Sequence, residues 1–459
     1  MAVITKYLSM YKLNDDNTLL LNALSGAIDI VDNKTKDTIL AIQKTKRTNE
    51  ADEELINTLV RRGYLFESEE KETDFLCKQR KVYNTLTDNK ISFVICPTMA
   101  CNLRCTYCFE SEEVRCNSKI MTDTQIENIF KHVKKISLER RPRHAVIELF
   151  GGEPLLPATR EINEKIFEFA RKNEMEITVI SNGTHINTYK ELILKYKDIL
   201  NFQITIDSIR DIHDKRRVRI DKSGTFDIIC DGIDILLEIG ARTNVRVNVD
   251  RENVETLRDF VEFIKSRGWN KKNDIFRCDI APVTDHHASN NLDNLMPEHQ
   301  IVKKALEQFP DYDPSNSFFK LAMFRVLGHL NKSLNLNWKA DSYYNFHYCE
   351  ANILQFYVFT PDGYIYACPE AVGDPKLSIG RYDENIELIP EKVNSWEGRD
   401  VFRIPRCRDC KIAPFCGGGC AYAAIKVNGN IDEPVCDDAE NVLAEYIESI
   451  KDFIIAKYC

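Results

Sequence analysis

Cys101-Asn102-Leu103-Arg104-Cys105-Thr106-Tyr107-Cys108 places three thiols on one short stretch, in a C-x3-C-x2-C spacing. In a chain of 459 residues with 16 cysteines, chance supplies only about 0.02 such patterns. Three thiolates on a tight loop make a poor closed zinc site, because structural zinc is nearly always four-coordinate. They make a good seat for a 4Fe-4S cluster whose fourth iron stays open to a ligand. The run Ile91 to Cys96 just before the loop reads as a strand, so the thiols sit at a strand's end. Further β-rich runs follow at Ala145 to Phe150, Glu176 to Ile180, Phe202 to Asp207, Asn244 to Asp250 and Ile275 to Val283. Helical patterns separate them near 122–140, 159–173, 188–199, 225–239 and 253–267. Strands alternating with helices imply parallel βαβ units, and six of them predict an α/β fold, a partial (β/α)6 TIM-like barrel with its chemistry on the loops after the strands.

Those loops carry matching chemistry. Phe150-Gly151-Gly152-Glu153-Pro154 ends the second strand, where the glycines let backbone approach a ligand and Glu153 can hold an ammonium group. Ser181-Asn182-Gly183 ends the third and offers small polar groups suited to ribose hydroxyls. The cysteine loop, the Gly-Gly-Glu-Pro turn and the Ser-Asn-Gly turn, in this order, closely resemble the radical S-adenosylmethionine (SAM) superfamily. The resemblance implies that Cys101, Cys105 and Cys108 bind the cluster and that SAM chelates its fourth iron. It further implies that Tyr107 lies near the adenine, Gly151, Gly152 and Glu153 near the SAM amino group, and Ser181 and Asn182 near the ribose. Thr205-Ile206-Asp207-Ser208 matches the fourth-strand segment and makes Asp207 a SAM-site residue, although many relatives have glycine where this chain has Ser208. Reductive cleavage of SAM would then give a 5′-deoxyadenosyl radical able to take hydrogen from an unactivated carbon.

A second constellation fills the last third: Cys349, Cys368, Cys407, Cys410, Cys416, Cys420 and Cys436. Its core, C-x2-C-x5-C-x3-C, is expected by chance about 0.0007 times per chain. The C-x2-C piece alone fits a zinc ribbon equally well. Pro361-Asp362-Gly363 marks a hairpin turn before Cys368, and with Cys349 it completes C-x13-G-x4-C. All seven cysteines thereby resemble the SPASM domain of radical SAM peptide and protein maturases. That resemblance implies an outer cluster on Cys407, Cys410, Cys416 and Cys436 and an inner one on Cys349, Cys368 and Cys420, three 4Fe-4S clusters in all. The inner set lacks an evident fourth ligand in Tyr343-Tyr344-Asn345-Phe346-His347-Tyr348. Either a distant thiol such as Cys278 supplies it, or that iron is open to a substrate thiolate. Gly417-Gly418-Gly419 serves close packing around a cluster. Cys77, Cys96, Cys116, Cys230, Cys278 and Cys459 read as buried small hydrophobes or idle thiols, and His286-His287 as a solvated loop.

Residues 1–72 read as a winged-helix-like α+β module, with short strands at Tyr7 to Leu13, Thr18 to Leu24 and Ala27 to Val31. Helices follow at Thr35 to Gln43 and Asp52 to Arg62, the second closed by Gly63. A net charge of −9 over the chain argues against a nucleic acid partner. Residues 73–90 read as a charged linker or connecting helix, 91–310 as the barrel, 311–345 as a helical connector, 346–440 as the SPASM domain and 441–459 as a C-terminal helix. Nothing resembles a signal peptide or a membrane span, so a cytoplasmic enzyme without a membrane partner is expected. The whole arrangement resembles maturases of ribosomally made peptides, in which the N-terminal module adds a leader peptide to its sheet. Leu19, Leu20, Leu21 and the Ala27 to Val31 run would offer the edge. The expected reaction is an oxidative thioether crosslink between a cysteine sulfur and a carbon, with electrons supplied by a ferredoxin or flavodoxin. Carbon–carbon crosslinking is the alternative. A sulfatase-type maturase normally has an Asp after the second SPASM cysteine, where this chain has Pro369-Glu370.

Overall fold

The computed structural model describes residues 2–48, 51–87, 90–116, 119–142, 144–284, 292–336, 345–383, 385–436 and 438–458. His286-His287, Tyr343-Tyr344 and Cys459 lie outside them. Six parallel strands make the barrel sheet: Lys90–Ile95, His144–Leu149, Glu176–Ser181, Leu200–Thr205, Arg242–Val249 and Phe276–Pro282, bonded in chain order. Helices Asp123–Arg140, Arg160–Lys172, Ile186–Tyr196, Phe226–Glu238 and Leu257–Ser266 connect them. The first starts at a capping box in which Thr122 and Gln125 satisfy each other's backbone N–H groups.

Alternation along the fifth strand explains the two faces of this sheet. Thr243, Val245, Val247 and Val249 are buried, whereas Asn244, Arg246 and Asn248 are only partly so. Residues paired across a parallel ladder share a face. Thr205 pairs with Arg246 and Arg246 with Asp279, giving a polar stripe toward the lumen. Val245 pairs with Cys278 and Cys278 with Phe319, giving an apolar stripe toward the helices.

The sheet runs past its six expected strands on both sides. Phe319–Leu321 pairs in parallel with the sixth strand, inside the segment expected to be mainly helical. Glu298–Glu307 and Arg325–Ser333 are helices there, but a three-residue strand is too short to show a period. On the other side Phe356–Phe359 pairs in parallel with the first strand, Phe356 opposite Ser92 through Phe359 opposite Ile95. It turns at Gly363 (φ +81°) into Tyr364–Tyr366, as the Pro361-Asp362-Gly363 signal predicts. The cysteine-rich third therefore continues the barrel's own sheet.

The N-terminal strands Leu8–Lys12, Asn17–Asn22 and Ile28–Asp32 form an antiparallel sheet in that spatial order. Helices Asn33–Thr45 and Glu53–Arg61 follow; Asp52 caps the second and Gly63 ends it at φ +74°. Leu19, Leu20 and Leu21 sit in the middle strand, flanked on both sides, and cannot offer an edge as the sequence reading expected. Ile28–Asp32 and Leu8–Lys12 are the edges. The module is also not separable. Leu20 packs with Ile39, Ile42 and Leu59 beneath the helices, whereas Leu19 and Leu21, with Tyr7 and Leu13, join the core that contains the barrel. The expected linker is a helix, Glu69–Thr87. Its Tyr83 stacks on His347 at 5.5 Å and donates to Asn345, and its Arg80 pairs with Asp400. Helix Ala439–Tyr458 ends the chain, and no helix among the described residues is long and apolar enough to cross a membrane.

Candidate active site

The cysteine loop stands at the C-terminal mouth of the barrel. Leu103–Cys105 forms a short antiparallel pair with Arg217–Arg219, which sets Arg217 directly opposite Cys105. A cavity of about 250 Å³ opens there, lined by Cys101, Cys105, Cys108 and Tyr107 on one side and by Gly151, Gly152, Ser181 and Asn182 on the other. The sequence reading thus brings its loops to one place. All three thiols are free, and burial pushes each pKa up, that of Cys108 to about 12. Cys105 acts electrostatically on both Cys101 and Cys108. Thiols held protonated by burial are the groups that a cationic iron cluster deprotonates and binds. The Cys101 Sγ already accepts from Leu103 N–H at 3.4 Å and Asn182 Nδ2 at 3.9 Å.

The two glycines line the cavity and also pack against the cysteine loop. Gly151 (φ +111°) and Gly152 press against the chain that leads into the cysteine loop. A Cβ at Gly151 would lie 2.5 Å from Thr98 O, and one at Gly152 would run into the carbonyls of Met99 and Ala100. Glu153 N–H donates to Ala100 O at 2.8 Å, locking the two loops together.

Glu153 is only 1% exposed and is fully engaged. Its Oε1 accepts from Ser181 Oγ and Leu155 N–H, its Oε2 from Asn182 N–H at 2.7 Å. It holds the Ser-Asn-Gly turn from behind the cavity wall rather than facing into it. Asp207 is likewise out of the cavity: its carboxylate takes Asn248 N–H at 3.1 Å and Arg216 Nε at 3.3 Å. Ser208 takes φ +84°, the left-handed conformation that glycine adopts without strain, and its hydroxyl meets Thr256 Oγ1.

Sequence reasoning missed the charged frame around Tyr107. Arg216, 1% exposed, reaches Asp250, Glu252 and Asp207 and lies over the Tyr107 ring at 4.9 Å. Arg217 Nη1 donates to Tyr107 Oη at 2.7 Å, and Asn248 Nδ2 adds a second bond at 3.2 Å. Glu110, Arg246 and Glu370 also line the cavity. The polar alternation Asn244, Arg246, Asn248 is the signal that marks the fifth strand's lumen face.

Glu370 links this cavity to the second constellation. Its charge acts on Cys368 and Cys420, Cys349 acts on both of those thiols, and so Cys349, Cys368 and Cys420 form one group. Cys410 and Cys436 act on Cys407, whose pKa is pushed up to about 11 by burial, and form another. Cys278 does not join the inner group: it points to the helix side of the sheet, opposite the lumen. Among the described residues no three His, Cys, Asp or Glu side chains converge tightly enough to share a single metal ion. Gly417, Gly418 and Gly419 all take positive φ, and Cβ atoms there would strike His347 O, Ile404 and Val435 O. Buried Arg399 binds the carbonyls of Gly418, Gly419, Ile431 and Glu433, tying the two thiol groups together.

Residues 95–264 match the family model described as the radical SAM superfamily. The cysteine-type anaerobic sulfatase-maturating enzyme of Clostridium novyi is 26% identical over 378 residues, 78% of this chain and 96% of that protein. The radical SAM cyclopropyl synthase TigE of Paramaledivibacter caminithermalis is 21% identical over 98% of this chain and 96% of its own. The structure of Streptococcus suis SuiB bound to its precursor peptide SuiA superimposes with a TM-score of 0.54 at 16% identity, over 94% of this chain and 98% of that one. With the three-thiol loop at the mouth of a parallel barrel, residues 95–264 are a radical SAM domain, and the chain is a radical SAM enzyme.

Proposed function

We propose that this enzyme matures a ribosomally made precursor peptide by joining a cysteine sulfur to a carbon of another residue as a thioether. Cys101, Cys105 and Cys108 would hold the SAM cluster; Cys349, Cys368 and Cys420 the inner auxiliary cluster; and Cys407, Cys410, Cys416 and Cys436 the outer one. Bound SAM would supply a radical that takes one hydrogen atom from the substrate carbon; the cysteine thiol loses its proton, and the remaining electron would pass to the auxiliary clusters as the sulfur–carbon bond forms. Tyr107 would flank the adenine, Gly151 and Gly152 the amino acid part and Ser181 with Asn182 the ribose. Glu153 and Asp207 act as positioning residues behind them.

One observation carries the thioether reading: Glu370 lines the SAM cavity and its charge reaches both Cys368 and Cys420, so the inner thiols stand beside that cavity. An iron left without a protein thiolate there has room for a substrate thiol, which coordination would deprotonate. Two relatives support the peptide part: SuiB was solved with a precursor peptide, and TigE aligns along nearly the whole chain. The open strand Ile28–Asp32 offers the edge for a leader. A ferredoxin or flavodoxin donor and a cytoplasmic setting belong to the same reading. The likeness to the Clostridium novyi enzyme favours a second one, oxidation of a cysteine within a protein.

Mass spectrometry separates them. The protein is given SAM, dithionite and the peptide encoded by the nearest short cysteine-rich reading frame, without oxygen. Loss of two hydrogens together with a cysteine that iodoacetamide no longer alkylates is the expected result. Loss of two hydrogens with the thiol still reactive means carbon–carbon crosslinking, and an aldehyde in place of the thiol means the second reading. An unchanged peptide mass overturns oxidative maturation of that peptide.

A further inference from the structure

Two carboxyl groups on the cavity wall each have one buried oxygen with no hydrogen bond among the described residues. Glu110 is 7% exposed, and its Oε1 is buried without a hydrogen bond among the described residues. Glu370 Oε2 is in the same condition. Both side chains line the cavity, one from the cysteine loop and one from the C-terminal third, and the charge of Glu370 is felt at Glu110. A buried carboxylate oxygen left bare is costly, so such atoms are completed by what binds.

The cations already present do not complete them. Arg217 gives its guanidinium to Tyr107 Oη and lies against Cys105. Arg246 gives Nε to Asn248 Oδ1 at 2.8 Å, and its charge reaches Glu370 without bonding Oε2. Arg115 acts on Glu110 but is turned back on Ser111 O by its Nε. A second cation or N–H donor between the two carboxylates would satisfy both.

We infer that Glu110 and Glu370 together receive a basic side chain, lysine or arginine, on the peptide residue delivered beside the cysteine loop. The inference rests on the peptide reading above and names the substrate class of that same cavity. An ammonium or guanidinium makes charge-assisted bonds to both oxygens. An acidic side chain would be opposed by both carboxyl groups, and an aliphatic one would leave both oxygens bare. Arg246 then contributes to selectivity by opposing a cation that sits anywhere but between the carboxylates.

The test uses the protein with clusters and SAM but no reductant, titrated calorimetrically with acetyl-Gly-Gly-Lys-Gly-Gly-amide and with its norleucine counterpart. Norleucine keeps the side-chain length and removes the charge. The lysine peptide binds about tenfold tighter, a difference of about 1.4 kcal/mol. Glu110→Gln and Glu370→Gln each shrink that ratio and the double variant abolishes it, with iron content and SAM affinity unchanged. Glu370→Lys moves the preference toward the peptide with glutamate in place of lysine. With reductant added, deuterium from side-chain-labelled lysine enters 5′-deoxyadenosine in the wild type and not in the double variant. Equal affinity for the two peptides, binding of neither, or a ratio that survives the double substitution overturns the inference. So does weakened SAM binding in the Gln variants, which would assign the carboxylates to the sulfonium of SAM. A wild type that crosslinks its precursor yet shows no lysine preference sinks this inference alone; one that prefers lysine but leaves every precursor unchanged sinks the crosslinking reading alone.

Discussion

The molecule holds two kinds of thiol site, and they are built in opposite ways. Cys101, Cys105 and Cys108 sit on one loop, whose shape is fixed by two neighbouring turns pressed against it at Gly151, Gly152 and Asn182. The seven thiols of the C-terminal third come from a hairpin, short helices and loops between Cys349 and Cys436, and are gathered by the glycine run and Arg399. The first design is local and rigid. The second depends on tertiary structure, so its parts stand or fall together. Buried arginine serves both, bound differently: Arg216 against carboxylates at the first, Arg399 against carbonyls at the second.

The sharpest break in this comparison comes from the thiols. Replacing Cys101, Cys105 and Cys108 together by Ala abolishes 5′-deoxyadenosine formation, whereas iron bound by the C-terminal third stays, as measured by iron content and by the remaining cluster absorbance. Cys407→Ala with Cys410→Ala gives the converse, loss of outer-site iron with SAM cleavage retained. If removing the first set also empties the second, the two sites are not independently built.

The arginines come next. Arg216→Leu leaves Asp207 and Asp250 as buried, unpaired charges and costs about 3–5 kcal/mol of stability. It also removes the cation stacked over the Tyr107 ring, so SAM affinity falls along with the melting temperature. Arg399→Leu strips donors from four carbonyls at about 1.5–3 kcal/mol for each bond to a charged group. Its damage shows in auxiliary iron content, with SAM affinity kept. Equal loss of SAM binding in both variants would erase the distinction drawn between the two centres.

Gly152→Ala makes a smaller and more local change. Its Cβ runs into backbone carbonyls that cannot swing aside, so the Gly-Gly-Glu turn backs away from the cysteine loop. A displacement of about 1 Å at a reacting centre costs about 10²-fold in rate. The expected result is that loss in 5′-deoxyadenosine formation at saturating SAM, with auxiliary iron unaltered.

The same contrast explains what could be read from the sequence. Short-range spacing names the cysteine loop, the Gly-Gly-Glu turn and the Pro361-Asp362-Gly363 hairpin, because each is a local structure whose residues are neighbours in the chain. The order of the six barrel strands and of the helices between them followed from period and turn residues alone. The pairing of Phe356–Phe359 with Lys90–Ile95 was not legible, since a parallel pair between distant segments leaves no local trace. Leu19–Leu21 looked like an edge because its apolar run is conspicuous, yet that run marks the strand with neighbours on both sides. Arg216 and Glu110 escaped notice for a related reason: a charged residue reads as surface until the surroundings that explain its burial are known.

The smallest effect tests the seam where the two regions share a sheet. His132, on the helix Asp123–Arg140, is 6% exposed and meets the rings of Tyr357 and Phe359 at 5.4 and 5.8 Å. Burial lowers its pKa from about 6.5 to about 4, helped by the nearby charge of Lys135. The folded state therefore resists the proton that the unfolded chain accepts. This stability is fully present above about pH 6.5 and drains away as pH falls toward 4, the window in which the unfolded chain binds more protons. At pH 5.5 the loss is about 1.4 kcal/mol. His132→Leu keeps the apolar packing and removes the titration, so its melting temperature falls less than the wild type's between pH 7.5 and 5.5 at matched iron content. An identical fall in both proteins would mean that the seam between barrel and cysteine-rich third is not where acid first loosens the fold.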